Sequence, residues 1–161
     1  MDRENFDSKI DSLLKNAEQK IPNEDLPTLL PIEYLPNISK WHTFEHELWN
    51  IREIIRQTIH DEQKNLNVEQ ADRVCQICLN PNAKRGRQSF VMLLSRKRYF
   101  AYADRLINLL QDVDVSGHVL DSLYKMRALQ YHEEVKPLLN SEYTWISNLA
   151  KRYMKNPASL T

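Results

Sequence analysis

Three segments in the C-terminal half of the chain carry one apolar pattern, and their spacing limits the possible folds more than any other feature. They are Gly86-Arg87-Gln88-Ser89-Phe90-Val91-Met92-Leu93-Leu94, Val115-Ser116-Gly117-His118-Val119-Leu120-Asp121-Ser122-Leu123 and Trp145-Ile146-Ser147-Asn148-Leu149-Ala150-Lys151-Arg152-Tyr153, with starts 29 and 30 residues apart. Each follows a shorter apolar run, ending at Leu79, at Leu109-Leu110 and at Leu138-Leu139. A unit of this length is two helices, and a helix pair buries its inner face only by stacking on the next pair. The expectation is an all-α fold with a job set by its surface, because a repeat scaffold does not specify an activity.

The pattern resembles HEAT repeats. In that family the second helix of each unit reads Val-Arg, two variable residues, Ala and then Leu, with an Asp capping it. Asp112, Val115, Val119 and Leu123 match those roles here, with Ser116 in the Arg position; Arg87 is kept in the first segment, where Gly86 replaces Val; Thr144-Trp145-Ile146 precede Leu149, Ala150 and Tyr153 in the last. The resemblance covers roughly residues 68–156. It implies a right-handed α-α solenoid of about four helix pairs with an N-terminal capping helix. More narrowly, the chain looks like small bacterial HEAT proteins, a group that includes suspected partner-binding and immunity proteins. That implies a non-catalytic module holding a protein partner on its concave face, with an immunity or adaptor protein as a specific form.

Read along the chain, residues 1–161 form a single HEAT-like domain. Residues 1–24 are a capping helix, from Glu4 to Lys20, and a linker; Ile10, Leu13, Leu14 and Ala17 make its apolar stripe. Residues 25–67 read as a degenerate first repeat. Asp25 caps a short helix carrying Leu29, Leu30 and Tyr34, and a longer helix from about Thr43 to Ile59 turns Phe44, Leu48, Ile51, Ile54 and Ile55 inward. Three repeats fill 68–156, with helices near 69–79 and 85–95, 99–111 and 115–127, and 131–139 and 142–155. Residues 157–161 are a frayed tail.

Two glycines in 161 residues leave no Gly-rich phosphate loop. Charge is balanced overall, yet residues 1–66 are net −5 and residues 67–161 net +5, an asymmetry able to orient a partner. No stretch has the length of an apolar membrane span and the first residues lack a signal-sequence pattern, so a cytoplasmic protein is expected. Cys75 and Cys78 form a C-x-x-C, but inside the apolar run Val74–Leu79 they read as buried reduced thiols, with a metal or redox role as the other reading.

In the repeat register the outward positions of each second helix are Gln88, Ser89 and Met92, then Gly117, His118 and Asp121, then Ser147, Asn148 and Lys151. His46, Glu47 and Asn50 continue the row if Phe44 takes the Val role, and Trp49 and Tyr124 add aromatic anchors. The candidate partner-binding residues are therefore His46, Trp49, Asn50, Gln88, Met92, His118, Asp121, Tyr124, Asn148 and Lys151, a mixture suited to protein recognition. A simple wet face is the competing reading. Oligomeric state stays open, with Tyr143, Trp145 and Tyr153 as possible end contacts.

No catalytic residue, cofactor or metal site is expected. His46-Glu47 and His132-Glu133 resemble the His-Glu pairs from which deoxyhypusine hydroxylases build a di-iron centre, and a metal-dependent enzyme of that type is a further alternative; only two pairs exist, on different kinds of helix, which argues against their converging. The basic runs Lys84-Arg85-Gly86-Arg87 and Arg96-Lys97-Arg98, near Tyr99, Phe100 and Tyr102, open a nucleic-acid alternative of the kind that HEAT-like DNA glycosylases represent. A solvated basic rim is the plainer reading of both runs.

Overall fold

Helix α1 (Arg3–Lys20) starts where Asp2 accepts a hydrogen bond from the Asn5 amide at 2.8 Å, and it buries Phe6, Ile10, Leu14 and Ala17 along one stripe. The computed structural model describes residues 1–31, 33–34 and 40–156, and among these the chain is all-helical with no strand. It packs as two compact units, Met1–Phe90 and Val91–Thr161.

In the first unit α1 lies against both α2 (Thr43–Glu62) and α3 (Val68–Leu79), and α2 and α3 each touch a 3-10 segment at Pro81–Gly86. Asn67 and Gln70 cap α3 reciprocally, each side chain accepting from the other's amide at 2.8 and 3.0 Å. Gln63 ends α2 in the left-handed conformation at φ 49°, which lets the Lys64 amide reach back to the Ile59 carbonyl. Gly86 is required by contact: a Cβ there would stand 3.1 Å from the Leu48 Cβ.

Glu45 organises this unit. Its side chain is 1% exposed, and its two oxygens accept from the His42 amide and the Arg85 amide, both at 2.8 Å. The Arg85 Nε lies 3.5 Å away, and the Arg85 Nη2 donates to the Lys40 carbonyl. One carboxylate thus caps α2 and ties it to a turn forty residues on.

The expected helix carrying Leu29, Leu30 and Tyr34 is absent from the described part of that stretch. Residues 22–31 run without helix, and Leu30 and Tyr34 are 81% and 83% exposed. Pro27 and Pro31 remove amide donors and push the residues before them out of the helical region. Asp25 caps nothing; it pairs with Lys84, while the Pro22 and Pro27 carbonyls accept from Asn82 and His42. Residues 32 and 35–39 of the expected first repeat, and the tail at 157–161, lie outside the described residues. On α2, Ile54 is 47% exposed and Phe44 half-buried, whereas Arg52 and Thr58 are buried beside Leu48, Ile51 and Ile55.

α4 (Arg87–Leu93) leads into the second unit, where 3-10 segments are prominent. The helix expected over 99–111 is a 3-10 segment at Lys97–Tyr102, a single turn α5 (Ala103–Leu106) and a 3-10 segment at Ile107–Gln111. The last of these packs on α6 (Ser116–Lys125). α7 (His132–Val135) continues as a 3-10 segment at Lys136–Asn140, and both pack on α8 (Thr144–Met154), which also meets α6. Arg127, at φ 63°, ends α6 with the Ala128 amide donating to the Leu123 carbonyl.

Fully buried Tyr153 closes this unit: its hydroxyl donates to the Ala128 carbonyl and accepts from the Tyr131 amide, while the Tyr131 hydroxyl donates to Asp104. Burial, foremost, pushes the Tyr153 phenol up to about 12, and burial followed by the Asp104 contact raises Tyr131 as well.

Two outcomes test these roles. Glu45→Ala leaves two amides and Arg85 uncompensated and is expected to cost about 3–5 kcal/mol, read as a fall in the urea midpoint, with Glu45→Gln less severe. Because the folded state holds both phenols protonated, the stability they contribute is complete below about pH 10 and is lost as pH rises toward 12. Tyr153→Phe is expected to cost about 1–3 kcal/mol at neutral pH and to flatten that alkaline loss in a pH series of denaturant melts.

Candidate functional site

Apart from Gln88 and Met92 on α4, the candidate residues fall into two local groups, one in each unit. On α2, His46 and Asn50 are exposed and Trp49 is half-buried. The His46 ring lies 5.5 Å from that of Trp41, which in turn lies 6.0 Å from Trp49. The Arg52 guanidinium stands 5.0 Å over the Trp49 ring, and Arg85 stands 5.3 Å over Trp41. Arg52 is 6% exposed, and burial, foremost, lowers its pKa against the opposing pull of Glu53.

In the second unit α6 and α8 bring His118 edge-on to Trp145 at 5.5 Å. Trp145 is 50% exposed, yet its ring is seated on Gly117: a Cβ there would come within 2.6 Å of the indole and 2.9 Å of the Ile146 Cδ1. Asn148 and Lys151 follow Trp145 at three-residue steps along the exposed side of α8. Asp121 pairs with Lys125 at 2.8 Å one turn along α6, and Tyr124 is half-buried nearby in sequence. Gln88 is half-buried on α4 and Met92 exposed.

Two outward assignments are corrected. Ser89 is fully buried and donates to the Gly86 carbonyl at 3.1 Å. Gly117 lies beneath an indole, since the missing side chain is what admits Trp145. Sequence reasoning also passed over Trp41 and Arg52, and took Arg85 only as part of a basic run. The spacing Trp49-x-x-Arg52 places a guanidinium one turn from an indole and could have flagged that pair.

The basic run at 84–87 is turned inward: Arg85 and Arg87 are 8% and 2% exposed, the Arg87 Nε donates to the Lys84 carbonyl at 2.8 Å, and Lys84 pairs with Asp25. It is neither a solvated rim nor a phosphate track. Arg96, Lys97 and Arg98 are exposed, with Arg98 over Tyr99 at 5.8 Å.

Among the described residues no three His, Cys, Asp or Glu side chains gather so as to hold a metal. The ring of His132 packs edge-on to Tyr153 at 5.7 Å, as that of His46 does on Trp41 at a tilt. Cys75 and Cys78 are buried and unbridged, and burial, foremost, raises the Cys78 thiol well above its usual range. Among the described residues no helix is long and apolar enough to cross a membrane. Comparison with protein-family models, with curated proteins and with solved structures finds no match to the chain.

The thiols provide a direct check on the packing of α3. Neither is expected to react with an aromatic disulfide reagent in the folded protein at pH 8, and both are expected to react in denaturant; rapid labelling of the folded chain would place one of them at an accessible site.

Proposed function

We propose that the chain is a HEAT-like repeat protein that acts by holding a partner protein on the second helices of its pairs, the side that is concave in such a solenoid, without doing chemistry itself. What supports the repeat reading is the pairing of the Ile107–Gln111 segment with α6 and of α7 and Lys136–Asn140 with α8. The observation that carries the binding reading is the Trp145 indole, half-exposed but seated on Gly117 and flanked by His118. A rigid aromatic surface loses little conformational freedom on docking, and aromatic anchors beside polar residues carry most of the energy of protein interfaces. Asn148 and Lys151 extend that surface. A toxin-neutralising immunity protein is the specific form we favour, one that occludes its partner's active site. The nucleic-acid alternative draws less support, because Arg85 and Arg87 are spent inside the fold.

A tagged pull-down from native lysate, washed with high salt and with nuclease, is expected to return one stoichiometric protein. The Asn148→Glu, Lys151→Glu double variant should lower its recovery about tenfold or more, with a thermal midpoint within a few degrees of the parent, since exposed substitutions change stability little. Recovery of nuclease-sensitive material alone, or undiminished binding by the variant, would overturn the reading.

A further inference from the structure

The α2 cluster carries a feature that packing does not explain. Trp49 Nε1 and Arg52 Nε are closed to solvent and have no hydrogen-bond partner. The Arg85 Nε shares that condition but has the Glu45 carboxylate 3.5 Å away to offset it. A buried donor left unmet keeps the full penalty of its lost hydration, and native structures hold few of them. Here two such donors sit one turn apart on one helix, with the guanidinium stacked over the indole.

The chemistry of what they lack is specific. Both groups donate and neither accepts, so the missing partner is an acceptor. The cation count narrows it further. Arg52 and Arg56 face Glu53, whose oxygens lie 3.4 Å from the Arg52 Nη1 and 2.6 Å from the Arg56 Nη2, which leaves one net positive charge among these three side chains. A planar monoanion matches that charge and the guanidinium edge, whereas a phosphate dianion would meet Glu53. Trp41, its ring 6.0 Å from that of Trp49, and His46, 5.5 Å from Trp41, are half-exposed and exposed rings, a rim able to contact the residues on either side of an inserted carboxylate.

We propose that the Trp49–Arg52 pair on α2 is a recognition site for the carboxylate of an Asp or Glu side chain in an acidic segment of the partner protein, with Trp41 and His46 forming its rim. The proposal rests on the protein-binding reading above and names the partner's chemistry. Entry requires an indole to swing aside, a side-chain rearrangement of the kind common at interfaces. The side chain then accepts from the indole N–H and the guanidinium, and both orphaned donors are met.

The test is a titration of the intact chain, by calorimetry and by the indole N–H signals in an NMR spectrum, with a blocked peptide of about ten residues built from Glu and Leu. Its Gln-for-Glu counterpart, a phosphoserine counterpart and free glutarate are the comparison arms. The Glu peptide is expected to bind about tenfold or more tighter than the Gln peptide and to move the Trp49 indole N–H resonance, with glutarate far weaker. Trp49→Phe, which keeps a ring and removes the donor, and Arg52→Gln should each lower affinity about tenfold. Equal binding of the Gln peptide, preference for the phosphopeptide or for free glutarate, or a Trp49 resonance that stays still in the parent protein would overturn the proposal, and the last readout needs no variant to fold. Should the Glu peptide fail while the pull-down still returns a protein, the acidic-segment site falls and the binding reading stands; failure of the pull-down alone removes the reading beneath it.

Discussion

Glu45 has almost no contact with solvent, and the first unit is arranged to meet its needs. A buried carboxylate is tolerated only where hydrogen bonds and a counter-charge replace water, and here the His42 and Arg85 amides and the Arg85 guanidinium do so. Meeting that need sets several features at once. It stops α2 at its N-terminus, draws the Pro81–Gly86 turn against α2, and brings Arg85 over Trp41 and onto the Lys40 carbonyl. Lys84, with φ 51° and ψ −133°, takes up the backbone distortion next to Arg85, and its side chain holds Asp25. The same arrangement turns the Arg85 and Arg87 side chains away from the surface.

The second unit meets its buried polar groups with phenols instead of a carboxylate at its centre. Tyr153 is wholly enclosed because its hydroxyl satisfies an amide and a carbonyl that the end of α6 and the approach to α7 leave exposed. With that end closed, α6 and α8 meet, and Gly117 leaves room for the Trp145 indole against α6. The surface proposed to bind a partner therefore depends on the core: the ring occupies the space that a side chain at position 117 would fill.

Much of the fold was legible in advance where burial follows helical period. Ile10, Leu14 and Ala17 on α1, Val119 and Leu123 on α6, and Leu149, Ala150 and Tyr153 on α8 are buried as their spacing implies. The pattern misled where a polar residue took an inner position. Arg52 and Thr58 lie inward on α2 while Ile54 faces out, because Thr58 satisfies its hydroxyl on the Ile54 carbonyl and Arg52 stacks on Trp49. Apolar period counts hydrophobicity and is blind to a polar group that arrives with its partner. Of the outward positions read from the repeat register, His46, Asn50, Met92, Asn148 and Lys151 are exposed, whereas Ser89 and Gly117 are enclosed.

The sequence by itself determined that the chain is helical, where most helices begin, and which residues of each helix are apolar enough to be buried, since propensity, caps and period act within a few residues. It did not determine the breaking of 97–111 into 3-10 turns: no glycine or proline lies there, yet Tyr99 leaves the helical region with φ −101° and ψ 15°. Nor did it determine that Arg85 and Arg87 would turn inward or that two donors on α2 would be left unmet. Those outcomes depend on groups far apart in the chain, such as Glu45 and Arg85, and only tertiary packing sets the dielectric and the partners that decide whether a charge can be buried.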